Sequence, residues 1–177
     1  MAKSFARQGV LIGFPPIARS DAQVLVLGSM PSVASLAKRQ YYGHPQNAFW
    51  PIMDRLFGAG PELPYERRAE ILRERGVAVW DSLRECRREG SLDSAIQAEV
   101  ANDFVWFFAA HSEIRTVFFN GQKSEAAFRR HVLVGLDGVA ASLSFMRLPS
   151  TSPAHAGRTF EEKLFAWRAL ERALKNY

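Results

Sequence analysis

Chemistry in this chain concentrates in a few short clusters. Gly28-Ser29-Met30-Pro31-Ser32 closes the apolar run Val24-Leu25-Val26-Leu27. Nine residues later comes Tyr42-Gly43-His44-Pro45-Gln46-Asn47-Ala48-Phe49-Trp50. A turn of small residues after a strand lets backbone N–H groups approach a ligand closely, as in nucleotide-binding α/β folds. The second cluster supplies amides, a proline-stiffened loop and aromatic rings. Those parts suit a pocket for a flat heterocycle, with a ring to stack on it and Asn or Gln to read its edge. Each piece also has a plain structural reading: His44-Pro45-Gln46-Asn47 makes a turn, Asn47 caps a helix starting at Ala48, and Phe49-Trp50 is core.

Two further segments bear on the same chemistry. Trp80-Asp81-Ser82-Leu83-Arg84-Glu85-Cys86 ends another apolar run and leads to Gly90-Ser91-Leu92-Asp93-Ser94-Ala95-Ile96. Asp81 as a carboxylate accepts hydrogen bonds; a helix cap or an ion pair with a nearby arginine is the structural alternative. Leu148-Pro149-Ser150-Thr151-Ser152-Pro153-Ala154-His155 offers hydroxyls and backbone N–H groups that can hold phosphates without reading sequence, although Ser-Thr-Ser-Pro is also a common loop. Cys86 has no paired base beside it in the sequence to make it a nucleophile. The histidines at 44, 111, 131 and 155 are scattered and, with one cysteine, lack zinc-ligand spacing. No phosphate-binding glycine loop or dinucleotide fingerprint is present, so neither a metal nor a cofactor is implied.

In this order, the clusters resemble the uracil-DNA glycosylase superfamily, most closely its hypoxanthine (deoxyinosine) DNA glycosylase branch. The resemblance runs from about Gly13 to Ala156. It implies a DNA repair enzyme that hydrolyses the N-glycosidic bond of deaminated bases, hypoxanthine first, and leaves an abasic site. As that bond breaks, positive charge gathers on the sugar and negative charge on the base. The site therefore needs a water positioner, donors for the base and a clamp on the flanking phosphates. No carboxylate pair stands beside the main motif, which favours positioning over a strong general base.

In several branches the third residue of the first turn is Asp or Asn, whereas Met30 can neither polarise nor hold water. The hypoxanthine branch shares that lack and carries its catalytic Asn in the Gly-His-Pro-x-Asn segment. By resemblance the catalytic residue is Asn47, orienting water and base through hydrogen bonds, since an Asn is no base at neutral pH. The resemblance also implies Phe49 as the stacking partner of a flipped base. Asp81 stands where other branches carry an Asn that reads the base; it could accept from N1–H of hypoxanthine or N3–H of uracil. Gly28, Ser29, Met30 and Ser150 complete the implied base pocket, with Ser150 standing where His or Asn is common. Pro31, Ser32, His44, Ser152, Pro153, Ala154 and His155 are implied on the DNA-binding side. Ala154 fills the wedge position after Ser-Pro with a single methyl, which leaves flipping dependent on weak pairing of the lesion itself. No lysine stands in these motifs to form a Schiff base, so a monofunctional enzyme is expected. Uracil, xanthine or a mismatched pyrimidine remain alternative substrates, and a non-catalytic module binding damaged DNA or nucleotides is the alternative of another class.

The elements that must position these residues follow from periodicity. Residues 1–20 read as an irregular leader with a Gly13-Phe14-Pro15-Pro16 turn. Apolar runs predict strands at 24–27, 77–80 and 116–119, and a more alternating one at 142–148 belongs at an edge. Helices are predicted over 49–58, 66–75 before Gly76, 102–111 with Asn102 as cap, and from Gly121 to His131. A last helix opens at the Thr159-Phe-Glu-Glu162 capping box and puts Phe160, Leu164, Trp167, Leu170 and Leu174 on one face. Alternating strands and helices predict one three-layer α/β/α domain over 1–177 with about four parallel strands. Ligands in such sheets sit beyond the carboxyl ends of the strands. Gly28-Ser29, Asp81-Ser82, Asn120-Gly121 and Pro149-Ser150 should then rim one crevice.

With 177 residues, 47% hydrophobic and 23% charged, the chain is long enough for a core without disulfides. One cysteine permits no intramolecular disulfide and fits a reducing, cytoplasmic setting. No apolar run reaches membrane-span length, and no secretion signal is visible. The net charge of +5 favours a polyanion partner, here DNA containing deaminated bases, bound by a monomer.

Overall fold

The computed structural model describes residues 9–175. In chain order its elements are β1 (Val10–Ile12), β2 (Val24–Gly28), α1 (Val33–Lys38), α2 (Phe49–Phe57), α3 (Tyr65–Glu74), β3 (Val77–Asp81), β4 (Leu83–Arg87), β5 (Gln97–Ala101), α4 (Phe104–Ala110), β6 (Thr116–Asn120), α5 (Gln122–His131), α6 (Asp137–Ala140), β7 (Ser144–Leu148), α7 (Phe160–Trp167) and α8 (Ala169–Lys175).

The central sheet has four parallel strands in the order β3-β2-β6-β7. β2 and β3 are buried at every position, as strands covered on both faces must be. Helices α3, α5, α7 and α8 pack on this sheet, and the predicted α/β architecture is the one observed. The chain leaves β2 towards β3 on one side, then returns across β2 to β6 on the other. The strand order reverses between β2 and β6, and open α/β sheets bind ligands at such a point, beyond the carboxyl ends of their strands.

The structure departs from expectation in the connections. Residues 9–20 of the predicted irregular leader include β1; residues 1–8 lie outside the described range. β1 joins β4 and β5 in a second, antiparallel sheet of three strands that the periodicity did not reveal. β4 carries Arg84 and Arg87 outward and β5 is mostly exposed, so neither shows an apolar run. This small sheet closes its own cluster of Met30, Leu83, Cys86, Ile96 and Ala127. Asn102 does not cap α4: Asp103 does, accepting from the Trp106 N–H at 2.9 Å. The Thr159–Glu162 capping box forms as expected. The helix it opens ends at Trp167, however, and a second one begins at Ala169, with no glycine or proline at the break. No helix among the described residues is long and apolar enough to cross a membrane.

One buried hydroxyl ties α5 to the end of β2. Ser124 is fully buried and donates to the carbonyls of Leu27 at 2.7 Å and Gly28 at 3.0 Å, while its own carbonyl accepts from Ser82 Oγ at 2.9 Å. The Gly28 carbonyl also accepts from the Ser82 N–H at 2.8 Å, so losing the Ser124 hydroxyl removes a hydrogen bond worth about 0.5–1.5 kcal/mol net rather than orphaning that carbonyl. Ser124→Ala should therefore lower the unfolding free energy by about that amount in urea titrations, with little change in the slope.

Candidate active site

A cleft of about 960 Å³ opens at the carboxyl ends of the parallel strands. Gly28 from β2, Asp81 from β3, Asn120 at the end of β6 with Gly121 after it, and Leu148 at the end of β7 with Pro149 and Ser150 after it all line the cleft. The four strand ends expected to rim one crevice do so, apart from Ser82, whose hydroxyl is buried against Ser124.

The floor is set by register. Gly28 and Asp81 are paired residues on adjacent strands. A Cβ on Gly28 would collide with Asp81 Oδ1 and lie 3.1 Å from Tyr42 Oη. Glycine therefore makes room for a carboxyl and a phenol to meet over the end of β2. Asp81 is 3% exposed, and its Oδ2 and Tyr42 Oη are buried without a hydrogen-bond partner. Burial, with the nearby Asp93 carboxylate, pushes the Asp81 carboxyl up to about 8; the Arg88 guanidinium opposes this only in part. At neutral pH Asp81 is thus mainly a carboxylic acid, one donor beside one acceptor, rather than the acceptor-only group read from the sequence. Burial and the Asp81 charge also hold Tyr42 well above the usual phenol range. The Asn120 amide, which also bonds Thr151, acts in the other direction by hydrogen bonding.

Thr151 is the joint between walls. Its backbone N–H donates to Asn120 Oδ1 at 2.9 Å, its Oγ1 accepts from Asn120 Nδ2 at 2.8 Å, and its carbonyl accepts from the Ala48 N–H at 3.0 Å. Gly121, at φ +91°, allows the close approach of Ser150, to whose Cβ an added methyl would come within 3.0 Å. Trp167 Nε1 donates to the Pro149 carbonyl, and Lys163 Nζ to that of His155. The Asn47 loop and the Ser150 loop are thereby held as one unit.

Asn47 lines the cleft, and its Oδ1 accepts from the Phe49 N–H at 2.9 Å. One amide oxygen lone pair is spent on this turn before α2, but Asn47 is not the helix cap foreseen: α2 begins at Phe49 rather than Ala48, and Ala48 holds the cap position without a side-chain cap bond. The second lone pair and the NH₂ group have no protein partner among the described hydrogen bonds. Phe49 does not line the cleft: it is fully buried, with Tyr42 stacked on it at 3.9 Å between ring centres. Tyr41 and Tyr42 line the cleft instead; Tyr42, the ring stacked on Phe49, opens the cluster and sequence reasoning passed it over. His44 and Pro153 also stand off the cleft, and His44 Nδ1 accepts from the Gln46 N–H within its own turn. Ser29, Met30, Pro31, Ser32, Ser150 and Ser152 line it, as do Ala154 and His155. Met30 roots in the small second cluster. Cys86 is buried there too, its thiol pushed up by burial, which removes it as a nucleophile.

Sequence reasoning missed Lys123, Arg147 and Arg158, which add positive charge to the rim. Lys123 is ion-paired with Glu99, which also meets His131 at 2.7 Å. Among the described residues there is no group of three or more His, Cys, Asp or Glu that could hold a metal ion.

The model of the Uracil DNA glycosylase superfamily matches residues 15–171, and the chain belongs to that superfamily. It is 36% identical over 113 residues to a hypoxanthine DNA glycosylase of Methanosarcina barkeri, which covers 63% of this chain and 72% of that protein. A hypoxanthine DNA glycosylase of Methanosarcina acetivorans matches at the same identity and coverage. The solution NMR structure of a candidate uracil DNA glycosylase from M. acetivorans superposes with a TM-score of 0.73 at 31% identity, over 92% of this chain and 99% of that one.

The raised Asp81 carboxyl has a consequence for stability. In the unfolded chain it loses its proton near the ordinary carboxyl value of about 4, but in the folded protein only near 8. The folded state binds the extra proton between those values, so this group's contribution falls as pH rises through that window, by at most about 1.4 kcal/mol per pH unit. Denaturant titrations from pH 5 to 8 should show a decline that is flattened in Asp81→Asn.

Proposed function

We propose that this chain is a monofunctional glycosylase that excises hypoxanthine from DNA and leaves an abasic site. The observation that carries the reading is the buried Asp81 carboxyl with an unpartnered oxygen at the cleft floor, where burial favours its protonated form. Hypoxanthine presents an N1–H donor beside the O6 acceptor. A carboxylic acid matches that lactam edge, its carbonyl oxygen accepting from N1–H and its hydroxyl donating to O6. Donation to O6 also withdraws charge from the departing base, and a donor already in place when charge develops stabilises the transition state. Tyr42 supplies a flat ring held in place by Phe49 beneath it, against which the base stacks. The relatives named as hypoxanthine DNA glycosylases support the same substrate.

Asn47 sits on the facing wall with a free NH₂ group and one free oxygen lone pair. It is assigned the water, its Oδ1 accepting a hydrogen bond from one water O–H so that the water lone pair faces the sugar carbon. The hydrolysis then breaks the C1′–N9 bond, forms a C1′–O bond and releases the base with a proton. Water is the nucleophile in this reading, because Lys123, the lysine lining the cleft, is paired with Glu99. Ser150, Ser152 and the backbone around them contact the flanking phosphates, helped by Arg147 and Arg158. Extrusion costs least for a weakly paired lesion, which adds to selectivity against intact bases.

Single-turnover excision from oligonucleotides carrying inosine, uracil or xanthine tests the proposal. Inosine should be cut fastest; a faster uracil or xanthine reaction would reassign the substrate, and no cleavage would leave a binding module. Asn47→Ala should slow excision about 100- to 1000-fold with DNA affinity retained. The rate should fall as pH rises above 8, where Asp81 ionises. Asp81→Asn, a neutral group with one donor side and one acceptor side, should keep activity and lose that fall, and Asp81→Ala should lose activity. A pH profile unchanged in Asp81→Asn would remove the acid from the mechanism.

A further inference from the structure

Apart from Asp93, whose charge helps raise the Asp81 carboxyl, the segment Gly90-Ser91-Leu92-Asp93 has no role in the chemistry above, yet it is fastened to the cleft. Arg88 donates to the Gly90 carbonyl at 2.8 Å and to the Pro31 carbonyl at 2.6 Å. Ser91 Oγ accepts from the Val33 N–H at 2.9 Å, and Ser29 Oγ donates to Asp93 Oδ1 at 2.6 Å. Ala95 N–H bonds to the Leu92 carbonyl, and Ile96 is buried in the small second cluster. The turn is therefore tied on both sides of Leu92, whose side chain is 59% exposed and lines the cleft. Every other large apolar side chain lining the cleft is buried or half-buried.

We infer that Leu92 is the wedge that enters the base stack when a nucleotide leaves the duplex for this cleft. The inference rests on the base-excising reading above. A base swung out of a duplex leaves a gap that water fills poorly and that neighbouring bases tend to close. Apolar side chains inserted at a step offset the unstacking, a few kcal/mol. Such a group must be apolar, exposed, at the cleft mouth and held stiffly. Ala154, which also lines the cleft, has only one methyl to offer. Leu92 meets all four requirements, beside the turn that follows Asp81's neighbour Gly28.

The test compares the full chain with Leu92→Ala and Leu92→Met on inosine in single strands and opposite cytosine in duplex. Leu92→Ala should keep its single-strand rate and lose about tenfold or more in duplex, with Leu92→Met close to the parent. A bulky aromatic nucleotide analogue opposite the lesion, which fills the gap itself, should restore the Leu92→Ala rate. Equal losses on both substrates, or no loss in duplex, would overturn the assignment. A second arm needs no excision: 2-aminopurine placed beside a stable abasic analogue should brighten on binding the parent and much less on binding Leu92→Ala. Equal brightening would also overturn it. Failure of the parent to release any base would instead sink the functional reading, and the fluorescence arm would still decide the wedge.

Discussion

The arrangement of the cleft depends on one pairing, Gly28 opposite Asp81 at the ends of two parallel strands. Parallel pairing fixes which residues lie side by side, and here it sets a residue with no side chain beside a carboxyl. The space a side chain on Gly28 would take is occupied by Asp81 Oδ1 and bordered by Tyr42 Oη, so both polar tips converge over the sheet end. Covered by protein and close to Asp93, the carboxyl cannot readily hold a charge and keeps its proton. A shift of β3 that set Trp80 opposite Gly28 would carry Asp81 past the strand end and put an indole where the carboxyl now fits.

The loops above the sheet inherit their positions from the same strands. Asn120 ends β6 and grips Thr151 through both faces of its amide. Thr151 in turn receives the Ala48 N–H, which sets Asn47 at the cleft wall. Ser124, at the first turn of α5, secures the carbonyls at the end of β2. Every wall is thus referred to the carboxyl edge of one sheet by short hydrogen bonds. Rigid placement of this kind is what a mechanism built on positioning requires, because a small displacement costs much of the rate.

Much of this was legible in the sequence because the parallel strands are buried on both faces. Val24–Leu27, Val77–Trp80 and Thr116–Phe119 read as continuous apolar runs, and their last residues pointed to the crevice. The antiparallel sheet was not legible. Leu83–Arg87 puts charges outward around two buried positions, and Gln97–Ala101 buries almost nothing, so neither has the apolar signature of a strand. In the site, Asp81 stood out by its place at a strand end, and Asn47 through the family resemblance of its Gly-His-Pro-x-Asn segment. Phe49 and Tyr42 could not be told apart, since both are aromatic and seven residues apart. Which of two stacked rings lines the cleft is decided by packing against Trp50 and Trp167, not by local pattern. Lys123 escaped notice for a similar reason: it comes from a helix whose first turn reaches the cleft only once the sheet is built.

The floor is left chemically unfinished. Tyr42 Oη and Asp81 Oδ2 are both buried without partners, at a cost on the order of 1–3 kcal/mol each. In a core that deficit would select for apolar replacements. At the end of a cleft it acts differently. A ligand whose ring edge brings a donor and an acceptor ends the deficit when it binds, whereas an apolar ring of the same size keeps both groups unsatisfied and adds nothing. The groups that weaken the empty protein are therefore the ones that discriminate between occupants, which is why stability and selectivity oppose each other at this point of the fold.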